Sequence, residues 1–454
     1  MSTFLSPNAS DIQPAGPVAL AGSSPSAASA THVHPVPAWI RLPNNWYAGP
    51  WFTAKTAKFS SPAWILFDGD SVTNGVNPAN LGYLATGWPD QLRTSLLAST
   101  GAPVYGDFYA TWAYNSGAGG ADPVAEGFPA YTGGSSGFEI GFGSLLSPAA
   151  ANAWVQTIST GSIPAWTAGN CTGFDIVHYD WGACTWAFQI DGGQGGTPTV
   201  TGATWNAGSG WYVVTNTGGG AAAGNVKKVT VRGLASGTHA IQWGQVSSAG
   251  NMMMIGISLF TGNAGGIGFV RSAYSGKRAV DSATTSGSNA GGSGTQTAAP
   301  TFRPELWSGF GPANTSPAQI TPTPFGFPTQ PTLAFIGYGI NDCANYINPA
   351  AYGDATQRKI IAVRRGVPNA NICLVAFSYP DSVNSDNALA GNGVHYSRYK
   401  QVLADLANNY NCAYVDIDAK WGGNPVAQGL QVSGNVHPTA TGHQDIANVI
   451  AGIL

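Results

Sequence analysis

The chain has 454 residues, a formal net charge of −3 and only 9% charged residues. That length calls for two or three domains, and there is no basic footprint for nucleic acid. No apolar run approaches the ~20 residues that span a bilayer. The opening Met1-Ser-Thr-Phe-Leu-Ser-Pro-Asn8 lacks the basic and apolar regions of a secretory signal.

The 62 Gly and 15 Trp fit a loop-rich, largely β protein with aromatic surfaces. Cysteines number five. Cys171 and Cys184 flank an expected hairpin and are candidates for pairing, whereas Cys343, Cys373 and Cys412 sit in or beside buried strands as inert thiols. No cysteine spacing suits zinc, and no cofactor is expected.

Residues 1–45 are rich in Ala, Ser, Pro and Gly and cannot bury a core, so they read as an extended segment. Their end, Ala21-Gly-Ser-Ser-Pro-Ser-Ala-Ala-Ser-Ala-Thr-His-Val-His-Pro35, resembles a short motif of bacteriophage tail-fibre proteins. In some trimeric fibres such histidine pairs bind a metal on the axis. Alternate strand residues point the same way, so His32 and His34 suit that role. Two solvated histidines in a linker are the plainer alternative.

The segment Trp64-Ile-Leu-Phe-Asp-Gly-Asp-Ser71 reads as a buried strand running into a tight turn that presents a serine hydroxyl. The carboxyl end of a buried parallel strand is where open α/β sheets bind ligands. Gly69 is expected to let the chain turn sharply, and Gly75 to free the loop that follows. A helix over residues 87–98 completes a first β-α unit, with Pro89 in its first turn.

Residues 106–265 alternate in short Gly-bounded apolar runs, such as 174–179, 186–190, 211–215, 226–231 and 239–243, which predicts an antiparallel sandwich. Asp191-Gly-Gly193 and Val231-Arg-Gly-Leu-Ala-Ser-Gly-Thr-His239 resemble the jelly-roll inserts of some secreted and phage esterases. Exposed tryptophans there suit stacking on sugar rings; filling a small β core is the alternative. From 266 onward, strands near 266–276, 332–338, 371–377 and 412–416 alternate with helices near 352–365, 396–409 and 439–450. That alternation predicts a parallel sheet with helices on both faces. Thr439 is the expected N-cap of the last helix.

Four features now stand in order: Gly69-Asp-Ser71, a Gly turn near 276, Gly339-Ile-Asn341-Asp342, and His437-Pro438 before a terminal helix. Together they resemble the SGNH (GDSL-type) hydrolase family. The resemblance implies a flavodoxin-like parallel sheet split by an inserted β-sandwich. The division is 1–45 for tail attachment, 46–105 and 266–454 for the hydrolase, and 106–265 for the insert. It also implies Ser71 as nucleophile, His437 as general base, and an oxyanion hole of the Ser71 N–H, a glycine N–H and the Asn341 amide. Gly276 is preferred for that glycine, because the insert then occupies one loop; Gly120, in Asn115-Ser-Gly-Ala-Gly-Gly120, is the alternative.

The pattern departs from the family at Gly434, where an Asp usually stands three residues before the His. A backbone carbonyl, Asn435, Asp416 or Asp418 is then needed to hold the His437 ring. Asp70 and Asp342 read as turn-organising groups. Asn392-Gly-Val-His395 mimics the His motif without its Pro. Gly133-Gly-Ser-Ser-Gly137 fits a nucleophile elbow without the strand and helix that motif requires. His178 and His239 read as structural, and His443 as a surface or packing residue of the last helix.

The expected function is an ester hydrolase on a phage tail protein. It would act on acylated glycans or lipids of the bacterial envelope, be attached to other tail proteins through residues 1–45 and be a candidate homotrimer. The expected location is the virion tail, with secretion as the alternative. A receptor-binding module that holds glycan with little or no turnover is the competing reading.

Overall fold

The computed structural model describes residues 37–78, 86–110, 137–139, 155–158, 165–179, 183–217, 226–245, 252–262, 264–271, 273, 278–280, 331–379 and 394–454. His32, His34, Gly120, Gly276 and residues 133–136 lie outside them. The strands are β1 (Ile40–Arg41), β2 (Pro62–Gly69), β3 (Val104–Ala110), β4 (Gly137–Glu139), β5 (Val155–Ile158), β6 (Ala165–Tyr179), β7 (Ala183–Ile190) and β8 (Thr199–Thr201). They continue as β9 (Thr204–Asn206), β10 (Trp211–Thr217), β11 (Val226–Gln245), β12 (Met252–Phe260), β13 (Gly266–Arg271), β14 (Pro331–Gly337), β15 (Asn371–Ala376) and β16 (Ala413–Asp416). The helices are α1 (Pro50–Thr56), α2 (Trp88–Thr100), α3 (Ile340–Ala344), α4 (Pro349–Gly366), α5 (Tyr396–Asn409), α6 (Ile417–Trp421) and α7 (Ala440–Ala451).

One mixed sheet runs in the order β1-β16-β15-β14-β2-β13-β3-β12-β6-β11-β7-β10-β9. Strands β16 to β3 along this path pair in parallel. From the β3–β12 pair onward the path is antiparallel. Residues 63–69 of β2 and all of β15 are buried, as expected of strands covered on both faces. Under them the Phe67 and Phe335 rings stack with centroids 5.5 Å apart, and Trp88 packs edge-on against both. The antiparallel half has its own core around Phe174, Ile176, Trp186, Phe188, Tyr212, Val229 and Ile241.

The elements around the parallel strands sit close to their expected bounds, and α5 matches its expected 396–409. Thr439 caps α7, its Oγ1 accepting from the Gly442 N–H at 3.1 Å. The β half differs in two ways. The expected strands 226–231 and 239–243 are one strand, β11, with register shifts between Arg232 and His239. A bulge absorbs extra residues without ending the ladder, so a glycine-rich run that reads as a turn instead bends a long strand.

Cys171 is a free thiol, which overturns the Cys171–Cys184 pairing. Cys171 lies opposite Gly237 of β11, and Cys184 opposite Asn216 of β10. Strand β11 separates β6 from β7, so the two do not form the expected hairpin. Two strand spacings are about 9.5 Å, beyond a disulfide's reach. Tryptophan also takes the core role more than the surface one: Trp186 is fully buried, and Trp205 and Trp211 are half-buried.

Beneath the parallel sheet's carboxyl end lies a buried ion pair. Lys359 Nζ sits 2.8 Å from Asp68 Oδ2, with the two side chains 1% and 0% exposed. The Tyr338 hydroxyl donates to Asp68 Oδ1 at 2.6 Å. Lys359 occupies the buried face of α4 with Tyr352, Ala355, Thr356 and Val363, a run at helical spacing. Removing one partner leaves a buried uncompensated charge. Lys359→Met is therefore expected to cost about 3–5 kcal/mol in urea denaturation; a loss below about 1 kcal/mol would show that Asp68 gets no stabilisation from this lysine.

Candidate active site

The site forms where β2 and β14 end side by side. Gly69 lies opposite Gly337 in the parallel register, and the Asp70 N–H donates to the Gly337 carbonyl at 3.2 Å. Gly69 serves this approach rather than the sharp turn expected of it. Its φ is not in the left-handed region, but a Cβ there would lie 2.1 Å from Thr73 Oγ1 and 2.6 Å from the Gly337 oxygen. Gly75, with φ +89°, does require the freedom expected of it. Two residues past Gly69 comes Ser71; four past Gly337 comes Asn341, in the first turn of α3. The adjoining strand ends thus bring these two turns to one edge.

The third element is the loop before α7. His437 Nε2 lies 2.9 Å from Ser71 Oγ, across 366 residues of sequence. The serine hydroxyl donates there when the imidazole carries its proton on Nδ1. Gln431 anchors the loop, its Nε2 donating to the Ser378 and Val436 carbonyls at 3.3 and 3.1 Å. The Asn435 N–H donates to the Val432 carbonyl at 3.0 Å, closing a tight turn with Gly434 at φ +72°. That position of the turn favours glycine, which gives a physical reason for the absent Asp.

None of the expected acids orients the ring. Asn435 Oδ1 accepts from the His437 backbone N–H at 2.9 Å. Asp416 caps α6 through the Ala419 N–H and pairs with Lys400, and Asp418 also pairs with Lys400. Among the described residues no carboxylate is bonded to His437 Nδ1. Burial pulls the His437 pKa down to about 4, so at neutral pH the ring is the uncharged acceptor a base must be.

His443 is fully buried, so of its two expected places it takes the packing one and not the helix surface. Its Nε2 is 2.9 Å from the Val76 carbonyl, and its Nδ1 accepts from the Trp88 N–H at 3.3 Å. One neutral ring thereby ties α7 to both ends of the serine loop, and burial holds its pKa near 4. In the β half, His239 is 2.7 Å from Asp191 through Nδ1 and 2.8 Å from the Ala235 carbonyl through Nε2. His178 packs against Trp186. His395 opens α5 as its N-cap residue.

Asp70 is fully buried beside the serine. Its Oδ1 accepts from the Val72 N–H at 3.0 Å, and Asp342 Oδ2 accepts from the Ala279 N–H at 2.9 Å. Burial raises the Asp70 pKa to about 7, and the nearby Asp342 charge adds to the rise against the opposing Val72 hydrogen bond.

Residues 268–444 match the model of the GDSL-like Lipase/Acylhydrolase family. A solved peptidoglycan O-acetylesterase is similar over 91% of this chain and 97% of its own, at 16% identity and TM-score 0.56. A family 2 carbohydrate esterase with a carbohydrate-binding domain, from Corynascus thermopiles (Myceliophthora fergusii), covers 68% of this chain and 96% of its own at 16% identity. Its TM-score of 0.29 is too low to bear on the argument. No curated protein sequence matches the chain. Residues 268–444 are thus GDSL-like in sequence, and the chain has an SGNH-type α/β fold.

The Asp70 geometry gives a signed prediction. A carboxyl with a raised folded-state pKa adds stability at low pH and loses it progressively as pH rises from about 4 to about 7. The two histidines, lowered in the fold, act oppositely over the same range. Asp70→Asn removes only the first contribution. Relative to wild type, the variant is expected to gain up to about 4 kcal/mol between pH 4 and pH 7 in urea titrations. A difference independent of pH would show that Asp70 is charged throughout.

Proposed function

We propose that this protein is a serine ester hydrolase that removes acyl groups, acetyl foremost, from glycans of the bacterial cell envelope. The observation that supports it most is the 2.9 Å contact between His437 Nε2 and Ser71 Oγ at the ends of unrelated segments. Ser71 Oγ attacks the ester carbonyl carbon while its proton passes to His437 Nε2. The tetrahedral oxyanion is held by the Ser71 N–H, the Asn341 amide and a glycine N–H, for which Gly276 is preferred to Gly120. Collapse expels the sugar alkoxide, which takes the proton from Nε2. Water then adds to the acyl-enzyme, giving its proton to His437, and the released Ser71 oxygen recovers it as the acid departs. No metal enters these steps.

His437 and Ser71 act here as a dyad. A neutral surrounding stabilises the imidazolium less than a carboxylate does, so a modest rate is expected. The acetylated-glycan reading draws on the solved peptidoglycan O-acetylesterase whose fold the chain shares. We read the antiparallel strands within 106–265 as an inserted jelly-roll-like sandwich between hydrolase parts 46–105 and 266–454. We read residues 1–45 as the attachment to a phage tail; the support is the Gly/Ser/Ala run ending in His32-Val-His34-Pro35.

Ser71→Ala is expected to abolish both hydrolysis of 4-nitrophenyl acetate above background and labelling by a fluorophosphonate. Equal rates and equal labelling in the two proteins would remove the hydrolase reading. Gly434 in the usual acid's place favours a second reading, a receptor-binding protein with weak turnover. Under it, Ser71→Ala still adsorbs to host cells. For an active enzyme, the acid limb of kcat/KM is expected near pH 4, the lowered His437 value. A limb near 6.5 would mean that substrate-free His437 is well hydrated.

A further inference from the structure

We propose that Tyr346 is a sugar-stacking platform at the mouth of this site, so that the alcohol portion of the ester is a pyranose ring. The inference rests on the hydrolase reading above and names the residue that would hold the sugar in it. Among the described residues the exposed large apolar side chains are Tyr47, Tyr346 and Val432. Two of these three flank the site residues in sequence. Tyr346 follows Asn341 by five positions, and Val432 precedes His437 by five.

Both lie on segments that carry site residues. Asn341 and Tyr346 are separated by the single turn of α3, about 7 Å of helix rise. The Tyr346 N–H donates to the Cys343 carbonyl at 3.0 Å, and the Ile347 N–H to the Asp342 carbonyl at 2.9 Å, so the segment is fixed. Val432 begins the tight turn whose anchor, Gln431, is bonded to Ser378. Tyr379, the residue after Ser378, hydrogen-bonds to Cys343, whose carbonyl accepts the Tyr346 N–H. The segments bearing Tyr346 and His437 are therefore joined through the 378–379 segment.

The backbone of Tyr346 adds an independent observation. Its φ is +57°, and a bulky residue in the left-handed region is strained relative to glycine. The ring itself is 48% exposed, while Tyr352, Tyr396 and Tyr399 are buried. Asn345 and Asn348, on either side of Tyr346 in sequence, are exposed. Asn345 Nδ2 donates to the Asn341 carbonyl and Asn348 Oδ1 accepts from the Ala350 N–H, both at 2.8 Å, which leaves the Asn345 oxygen and the Asn348 amide N–H groups for a ligand. An apolar face bordered by neutral hydrogen-bonding groups matches the face and rim of a pyranose. An acyl chain calls instead for an enclosed apolar pocket.

The test uses the full chain and two substrates, 4-nitrophenyl acetate and partially O-acetylated cellohexaose. Tyr346→Gly suits the backbone, so its melting temperature is expected to equal or exceed that of wild type. Its kcat/KM on the oligosaccharide is expected to fall roughly three- to tenfold, mainly through KM. Its rate on the aryl ester is expected to be unchanged, and Tyr346→Phe is expected to retain most activity on both. Equal losses on both substrates, no loss on either, or a wild type that cleaves the aryl ester but not the oligosaccharide would overturn the proposal. Absence of Ser71-dependent cleavage of either substrate would instead sink the underlying hydrolase reading.

Discussion

Two backbones meet at Gly69 and Gly337, and the site exists because nothing stands between them. A methyl group on Gly69 would overlap both Thr73 and the Gly337 carbonyl. The Asp70 N–H to Gly337 carbonyl bond then locks the two turns in register. This contact joins residues 267 or more positions apart, so the cost of closing that loop is met by the apolar runs of β2 and β14 and their stacked rings. Other distant segments converge on the same place. His437 reaches Ser71, and His443 reaches both Val76 and the start of α2. The serine loop is buried throughout 71–77, as a loop gripped from several sides must be.

What could be read from the sequence follows from how local each signal is. The β2–Ser71–α2 unit, Asn341 after β14 and the Thr439 cap are written in contiguous residues, and the apolar runs that carry them are continuous. Strand neighbours are not local, and there the reading failed. Cys171 and Cys184 are thirteen positions apart in sequence, yet β11 separates their strands. Helical spacing contained a signal that went unused. Lys359 stands among Tyr352, Ala355, Thr356 and Val363, and a lysine amid an apolar face needs a buried partner. His443 lies one turn into α7, whose buried residues include Ile446, Ala447, Val449 and Ile450, and takes the packing place that such a face favours. Gly434 was legible as a departure but not as a cause, because its left-handed φ depends on the turn that the Gln431 anchor imposes.

A chain this poor in charge places much of what it has in the interior. Asp68, Asp70, Asp342 and Lys359 are all buried near the strand ends. Each is handled differently. Asp68 is neutralised by Lys359 and a tyrosine hydroxyl. Asp70 meets its cost by holding a proton up to about pH 7. Asp342 accepts the Ala279 N–H and so ties a segment 63 positions earlier to the first turn of α3. A low-dielectric surround of this kind strengthens the neutral hydrogen bond between Ser71 and His437.

The same surround sets the character of the proposed dyad. Burial keeps His437 unprotonated across the physiological range, so every molecule has its base ready. A ring with a pKa near 4 is nevertheless a weak base, and no carboxylate among the described residues raises it. Proton transfer from serine is then driven by stabilisation of the oxyanion more than by the imidazole. In the proposed mechanism the larger share of catalysis then falls to donors fixed by the strand ends, above all the Ser71 N–H and Asn341. The rigid Gly69–Gly337 contact, the fully buried ion pair beneath it and the glycine in place of the usual acid are therefore consistent with one another. A site that stabilises the imidazolium poorly depends correspondingly more on how firmly its oxyanion donors are held.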